Sequence, residues 1–365
     1  MVQHGARDLA EAGFERPRLE AGAALLRVEA CGLCGSDIDA LEAIDNAPSK
    51  DGSGLHLPRI MGHEIIGTVE EVGPGGRRDV SVGTRVAVDP WLPCGSCEYC
   101  LAGQSMYCTG WDFSPACHGF IGTEVGPGLW GGYATHLYVH PKAVLYPIPE
   151  HVSPATAALW NPLAAGIQWG VLTPGTSIGA RIVILGCGQR GLCAVIAAKA
   201  AGAGHITVTG LASDARKLEL AREFGADLAL NVEEEDVVER VRFASGGRGA
   251  DVVVDTSAGS TAPVVESIEL VRSGGTVVWA GLKDKTVPDF PIDRAVLKGV
   301  RIQGVLGMAP SSYRNAIDII AAGSVPIEQM RTHLLDFREA VRAIDVLAGR
   351  VPGEQPINVV LSVDP

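Results

Sequence analysis

The strand-like stretch 181–185 (RIVIL) runs straight into Gly186-Cys187-Gly188-Gln189-Arg190-Gly191 and then into an alanine-rich helix. No other stretch restricts the fold so tightly. Gly-x-Gly-x-x-Gly between a strand and a helix is a turn whose missing side chains let backbone approach a pyrophosphate at the helix N-terminus. Around it, strands at 205–209, 227–231, 251–255, 276–280 and 301–305 alternate with helices at 190–201, 214–224, 235–244 and 261–271. Such alternation predicts an α/β fold with a doubly wound, parallel Rossmann sheet over residues 159–308.

In such a sheet an acid at the end of the second strand takes the ribose hydroxyls of NAD. Here that position is Gly210, followed by Leu211-Ala212-Ser213-Asp214-Ala215-Arg216-Lys217. Asp214 could reach back to an unphosphorylated ribose. Arg216 or Lys217 could instead meet the 2′-phosphate of NADP, and all three are also ordinary residues for a first helical turn. The balance tilts slightly to NAD.

Residues 1–158 read differently. Strands at 24–30, 65–72, 84–89 and 133–139 are separated by Gly and Pro, with loops carrying most of the Cys and His. Helices at 312–322 and 337–348 and a strand at 357–363 return the chain, over 309–365, to this first domain. Within the segment 91–110, Cys94, Cys97, Cys100 and Cys108 offer four thiolates, enough to enclose one tetrahedral zinc with no open position. That zinc is structural. The alternative is a chance group of free or disulfide-bonded cysteines.

A second group is more sparsely spaced. Cys34-Gly35-Ser36-Asp37 precedes Gly62-His63-Glu64 by about thirty residues. A catalytic zinc takes about three protein ligands and keeps one position open. Cys34 and His63 suit it, Glu64 can ligate or lie beside it, Asp37 can accept the second imidazole N–H, and Ser36 can pass on a proton.

The formal net charge of −12 argues against nucleic acids and anionic membranes as partners. No apolar run spans a bilayer and the N-terminus lacks a signal-type apolar region, which points to the cytoplasm. An odd count of nine cysteines is a poor disulfide framework.

In this order the motifs resemble the zinc-containing medium-chain dehydrogenases, the superfamily of zinc alcohol, sorbitol and threonine dehydrogenases. The carriers are Cys34-Gly35-Ser36-Asp37, Gly62-His63-Glu64, the four-cysteine lobe, Gly131-Gly132-Tyr133-Ala134, Gly186–Gly191 and Ala280-Gly281-Leu282. The Cys-Gly-x-Cys-Gly-Ser-Asp segment brings the polyol and threonine branch nearest. The resemblance implies a GroES-like β-rich catalytic domain built from both chain ends, a Rossmann domain between them, one catalytic and one structural zinc, NAD or NADP, and a homodimer or homotetramer. It implies a small secondary alcohol or its ketone as substrate. It also implies that Asp255-Thr256, Gly281-Leu282 and Val305-Leu306-Gly307 lie near the nicotinamide.

Two positions depart from that pattern. Relatives of the polyol branch usually carry Glu-Pro-Leu where this chain has Asn161-Pro162-Leu163, so the acidic zinc ligand or neighbour becomes a neutral amide, and Asn161 or Glu64 would complete the catalytic zinc shell. Relatives often have His three residues after the Ser or Thr, acting in the proton relay, and here Asp39 stands there. Two further readings compete with a zinc dehydrogenase: a zinc-free quinone or enoyl reductase, which would lack both cysteine groups, and an NAD(P)-binding protein without turnover. Trp91, Trp111, Phe113, Trp130 and Trp160 are candidate pocket or core aromatics, and 45–57 is a candidate loop at the mouth of the cleft.

Overall fold

The computed structural model describes residues 1–42, 56–111 and 116–363, so Phe113 and most of the 45–57 loop lie outside the described residues. The chain divides into two compact units, Met1–Trp160 with Ile317–Pro365, and Asn161–Ala316. No helix among the described residues is long and apolar enough to cross a membrane.

The second unit holds a six-stranded sheet. Its strands, from one edge to the other, are Leu228–Asn231, His205–Gly210, Arg181–Leu185, Ala250–Asp255, Val271–Trp279 and Arg301–Gly304. Every pairing is parallel. In sequence rank the order is 3-2-1-4-5-6, the doubly wound order, and the chain reverses direction between the first and fourth strands. Val183, Val253 and Val277 are buried at the centre of the sheet, as a sheet covered on both faces requires. The strand expected at 276–280 instead begins at Val271. Its Ser273-Gly274-Gly275 stretch has poor strand propensity, which hides the start from a reading by composition.

The first unit is built on a sheet in the order Arg331–Asp336, Asn358–Ser362, Ala24–Gly32, Glu64–Val72, Arg85–Val88 and Leu145–Pro147, with His136–Val139 also paired to Ala24–Gly32. The last strand of the chain pairs antiparallel with the first long one, Leu361 opposite Cys31. A small sheet of Asp8–Ala10, Val2–Gly5 and Arg59–Ile60 lies on the path to Gly62. The first two of these strands are only three or four residues long and carry no alternation to mark them.

A short helix precedes the site. Gly35–Leu41 is a helix, with Cys34 as its extended N-cap residue. The Asp37 carboxylate accepts the Cys34 N–H at 2.8 Å, the reach-back half of a capping box. Seven residues are too few for a helical period to declare itself, so the cap is what defines the helix.

Candidate active site

The strand Ala24–Gly32 and this helix set the position of Cys34, while the strand Arg59–Ile60 and the turn after it set that of His63 and Glu64. Ligand atoms of Cys34, His63 and Glu64 gather within 4.8 Å of one another, and all three residues are buried. Behind them the Gly131–Ala134 segment is clamped to the same turn. Gly132 N–H donates to Gly62 O and Tyr133 N–H to Met61 O, each at 2.9 Å. The Tyr133 ring fills the space a side chain at Gly62 would need, since a Cβ there would lie 2.5 Å from it. Tight packing thus explains why the Gly-Gly-Tyr-Ala run accompanies the Gly-His-Glu run.

The electrostatics of the group favour a cation. Burial disfavours a charged imidazole, yet Asp37, Cys34 and Glu64 outweigh it and lift His63 to about 9. The same anionic neighbours would favour a metal cation there, which would take the place of the proton on the ring nitrogen. Nδ1 of His63 is buried without a hydrogen-bond partner among the described residues. Asp37 Oδ1 lies 3.8 Å from it, within ion-pair reach but longer than a hydrogen bond. The Asp37 carboxylate is oriented instead by the helix cap. Ser36 is half-buried on the first turn of that helix, whereas Asp39 is exposed further along. Asn161 opens the second unit, 1% exposed, with Oδ1 lacking a hydrogen-bond partner among the described residues.

Arg59 supports this arrangement and was not anticipated. It is fully buried, accepted by Gln3 Oε1 at 2.9 Å and by Ala40 O at 3.2 Å, and its guanidinium lies over Phe120. It therefore places a positive charge at the C-terminal end of the helix capped by Cys34, where the helix dipole is negative. The only sequence signal was one Arg in an otherwise apolar run before Gly62.

In the second cysteine group, Cys94 and Cys100 Sγ lie 3.9 Å apart, as do those of Cys97 and Cys108. A tetrahedral ion with Zn–S bonds of about 2.3 Å sets an S···S edge of about 3.8 Å, so the four sulfurs fit zinc. The Ser96 and Cys97 N–H groups point at Cys94 Sγ and pull its thiol down to about 5. Trp111 donates to Leu92 O nearby, and Trp130 and Trp160 are buried. Trp130 is a core residue of the first unit, and Trp111 packs against that core. Trp91 is partly buried.

The nucleotide motif forms the expected strand–turn–helix. Gly186 has φ +96°, and Gly188 caps the helix Gln189–Ala200 with open space around its Cα. A Cβ on Gly191 would lie 2.0 Å from Gly186 O, which is why the helix packs so closely on the turn. Gln189 and Arg190 begin the helix, and the Arg190 guanidinium stacks over Trp169. Across the point where the strand order reverses, Thr256 Oγ1 donates to Leu185 O and Gly186 O. Gly281 abuts Ser257 O, and Leu282 and Leu306 are exposed. Lys283, not foreseen, donates to Asp255 Oδ1 at 3.0 Å and to Ser257 O at 2.5 Å. The glycine cradle and helix N-terminus fit a dinucleotide pyrophosphate.

Residues 20–150 match the alcohol dehydrogenase GroES-like domain, and residues 191–322 match the zinc-binding dehydrogenase domain. A Mycobacterium tuberculosis protein named probable alcohol dehydrogenase is 39% identical over 99% of this chain and 97% of its own length. The chain belongs to the zinc-type alcohol dehydrogenases. Human sorbitol dehydrogenase is 31% identical over 94% of the chain and 91% of its own length. Among solved structures of this family, the Thermus alcohol dehydrogenase superposes with a TM-score of 0.80 at 28% identity, over 99% of this chain and 98% of its own. A Sinorhizobium meliloti protein solved with NADP superposes at 0.81, also at 28% identity, over the same shares. The chain is therefore an oxidoreductase of the zinc-type alcohol dehydrogenase family, with zinc and a nicotinamide nucleotide as the family's cofactors.

Proposed function

We propose that this enzyme interconverts a small secondary alcohol, of polyol, cyclic or hydroxy-amino-acid type, and its ketone by hydride transfer with NAD or NADP. The observation that carries the reading is the convergence of Cys34, His63 and Glu64 within 4.8 Å in a buried, net-anionic setting. Zinc held there would acidify the substrate hydroxyl and polarise the carbonyl, which hydride transfer requires. The half-burial of Ser36 beside Cys34 supports it as the residue that takes the hydroxyl proton. Exposure on the helix surface supports a solvent-side role for Asp39, at the outer end of that relay. Cys94, Cys97, Cys100 and Cys108 would hold the structural zinc. The pyrophosphate would rest on Gly186, Gly188 and Gly191, with Thr256, Gly281, Leu282 and Leu306 toward the nicotinamide.

A homo-oligomer is part of the same reading. The strand Arg301–Gly304 pairs on one side only and is exposed throughout, flanked by Val296 and Leu297 at 70% and 86% exposure. An open edge strand with exposed apolar neighbours supports pairing with a second copy.

The test is Cys34→Ser, with metal content and turnover of an alcohol panel measured together. Zinc should fall from two to one per chain and turnover should drop by about a hundredfold or more, the scale of a lost Lewis acid worth several kcal/mol. Full turnover with one zinc per chain would exclude Cys34 as a ligand of the catalytic metal.

A further inference from the structure

We infer that Glu233, acting with Asp214, makes the adenosine end of the cofactor site select a free ribose over a 2′-phosphorylated one. The inference rests on the dinucleotide reading above.

The usual acid position is Gly210, and the fold keeps it empty. A Cβ there would lie 2.5 Å from Cys187 Sγ and 3.2 Å from both Asp214 Cβ and Leu218 Cδ2. The neighbouring backbone is nonetheless surrounded by carboxylates. The first N–H past the strand, that of Leu211, donates to Asp214 Oδ2 at 3.1 Å. The next, that of Ala212, donates to Glu233 Oε2 at 2.7 Å. Glu233 comes from the turn after the adjacent strand Leu228–Asn231, so its carboxylate reaches this point from the side.

Successive backbone N–H groups at a strand end are the donors a phosphate would use. Here two of them are already taken by anions. The nearby cations are also engaged. Arg216 Nη1 lies 3.3 Å from both Glu219 and Glu223, and Lys217 Nζ lies 2.8 Å from Asp214. A 2′-phosphate, carrying about −1.5 to −2 charges, would have to displace these partners and face Glu233. A ribose hydroxyl needs only to donate to a carboxylate. Two carboxylates supplied by side chains beyond the strand thus stand in for the single acid missing at Gly210.

The test compares 5′-AMP with 2′,5′-ADP by isothermal titration calorimetry on the full-length enzyme, which needs no turnover. The wild type should bind 5′-AMP about tenfold or more tightly than 2′,5′-ADP, because the added phosphate would be forced against the Glu233 and Asp214 carboxylates. Glu233→Gln keeps the length and an acceptor for the Ala212 N–H but removes the charge. It should narrow the ratio about tenfold, chiefly through tighter 2′,5′-ADP binding, and Glu233→Lys should reverse the preference. Equal or preferred binding of 2′,5′-ADP by the wild type, or a ratio unchanged in Glu233→Gln, overturns the inference while leaving the dinucleotide site intact. Binding of neither nucleotide overturns both.

Discussion

The vacancy at Gly210 can be tested through the residue that enforces it. In Gly210→Ala, the new methyl would sit 2.5 Å from Cys187 Sγ, about 1 Å or more inside the usual 3.5–4.0 Å contact. Cys187 is only 2% exposed, so its sulfur has little room to retreat. Overpacking of this kind costs about 1–3 kcal/mol. Replacing glycine at a strand end returns about 0.5–1 kcal/mol of backbone entropy. The single variant should therefore lose about 1–2 kcal/mol, or a few degrees in Tm for a domain of roughly 150–250 residues. Cys187→Ala should lose about 1 kcal/mol by leaving a small void. In the double variant the methyl occupies space the thiol has left, so the two costs should not add. A double-mutant cycle read by calorimetry should give a coupling of about 1–3 kcal/mol in favour of the double variant. A coupling below about 0.5 kcal/mol would mean that the thiol is not what keeps a side chain out of position 210.

Two other perturbations follow from the first unit. Cys100→Ser should remove one zinc per chain and speed proteolysis within 94–110, while the zinc assigned to Cys34 and His63 stays; retention of both ions after dialysis would contradict the four-thiolate site. Burial pushes Asp89 up to about 7, against the N–H of Trp91 and the hydroxyl of Tyr146, which both donate to it. Because its folded value lies above its unfolded one, its contribution to stability is present below about pH 4 and is lost as pH rises to about 7, on the order of 2–4 kcal/mol at 1.36 kcal/mol per pKa unit. Asp89→Asn should flatten the Tm profile between these pH values, and an unchanged slope would place the titration elsewhere.

The sheet of the second unit could be read from sequence almost strand by strand, because a doubly covered parallel strand is a short apolar run bounded by turns. The glycine motif and both cysteine-bearing groups were equally readable, since their spacing reflects the reach of one ion or one pyrophosphate. What escaped depends on contacts distant in sequence. Glu233 sits in a run of four acids, and nothing in that run marks the one that meets Ala212. Arg59 gains its place from Gln3, fifty-six residues away. The Asp37 carboxylate is of the same kind: residue type marks it as an acceptor, but that it accepts the Cys34 N–H depends on a helix cap that composition does not show. Short elements such as Val2–Gly5 exist through their partners, and propensity alone does not find them.

The pairing of Leu361 with Cys31 has a consequence in time. The strand leading to Cys34 takes its neighbour Asn358–Ser362 from about three hundred residues further along the chain, and Leu33 N–H donates to Val359 O at its very end. Chain-closing contacts of such long range form late, because the loop entropy must be met before they stabilise anything. The contiguous stretch Asn161–Ala316 can fold while the ribosome is still working, and the cysteines of 94–108 are close enough in sequence to capture their ion early. On this ordering the Rossmann sheet and the 94–108 loop rest on contacts near in sequence, whereas the strand that ends beside Cys34 waits on a partner far away in the chain.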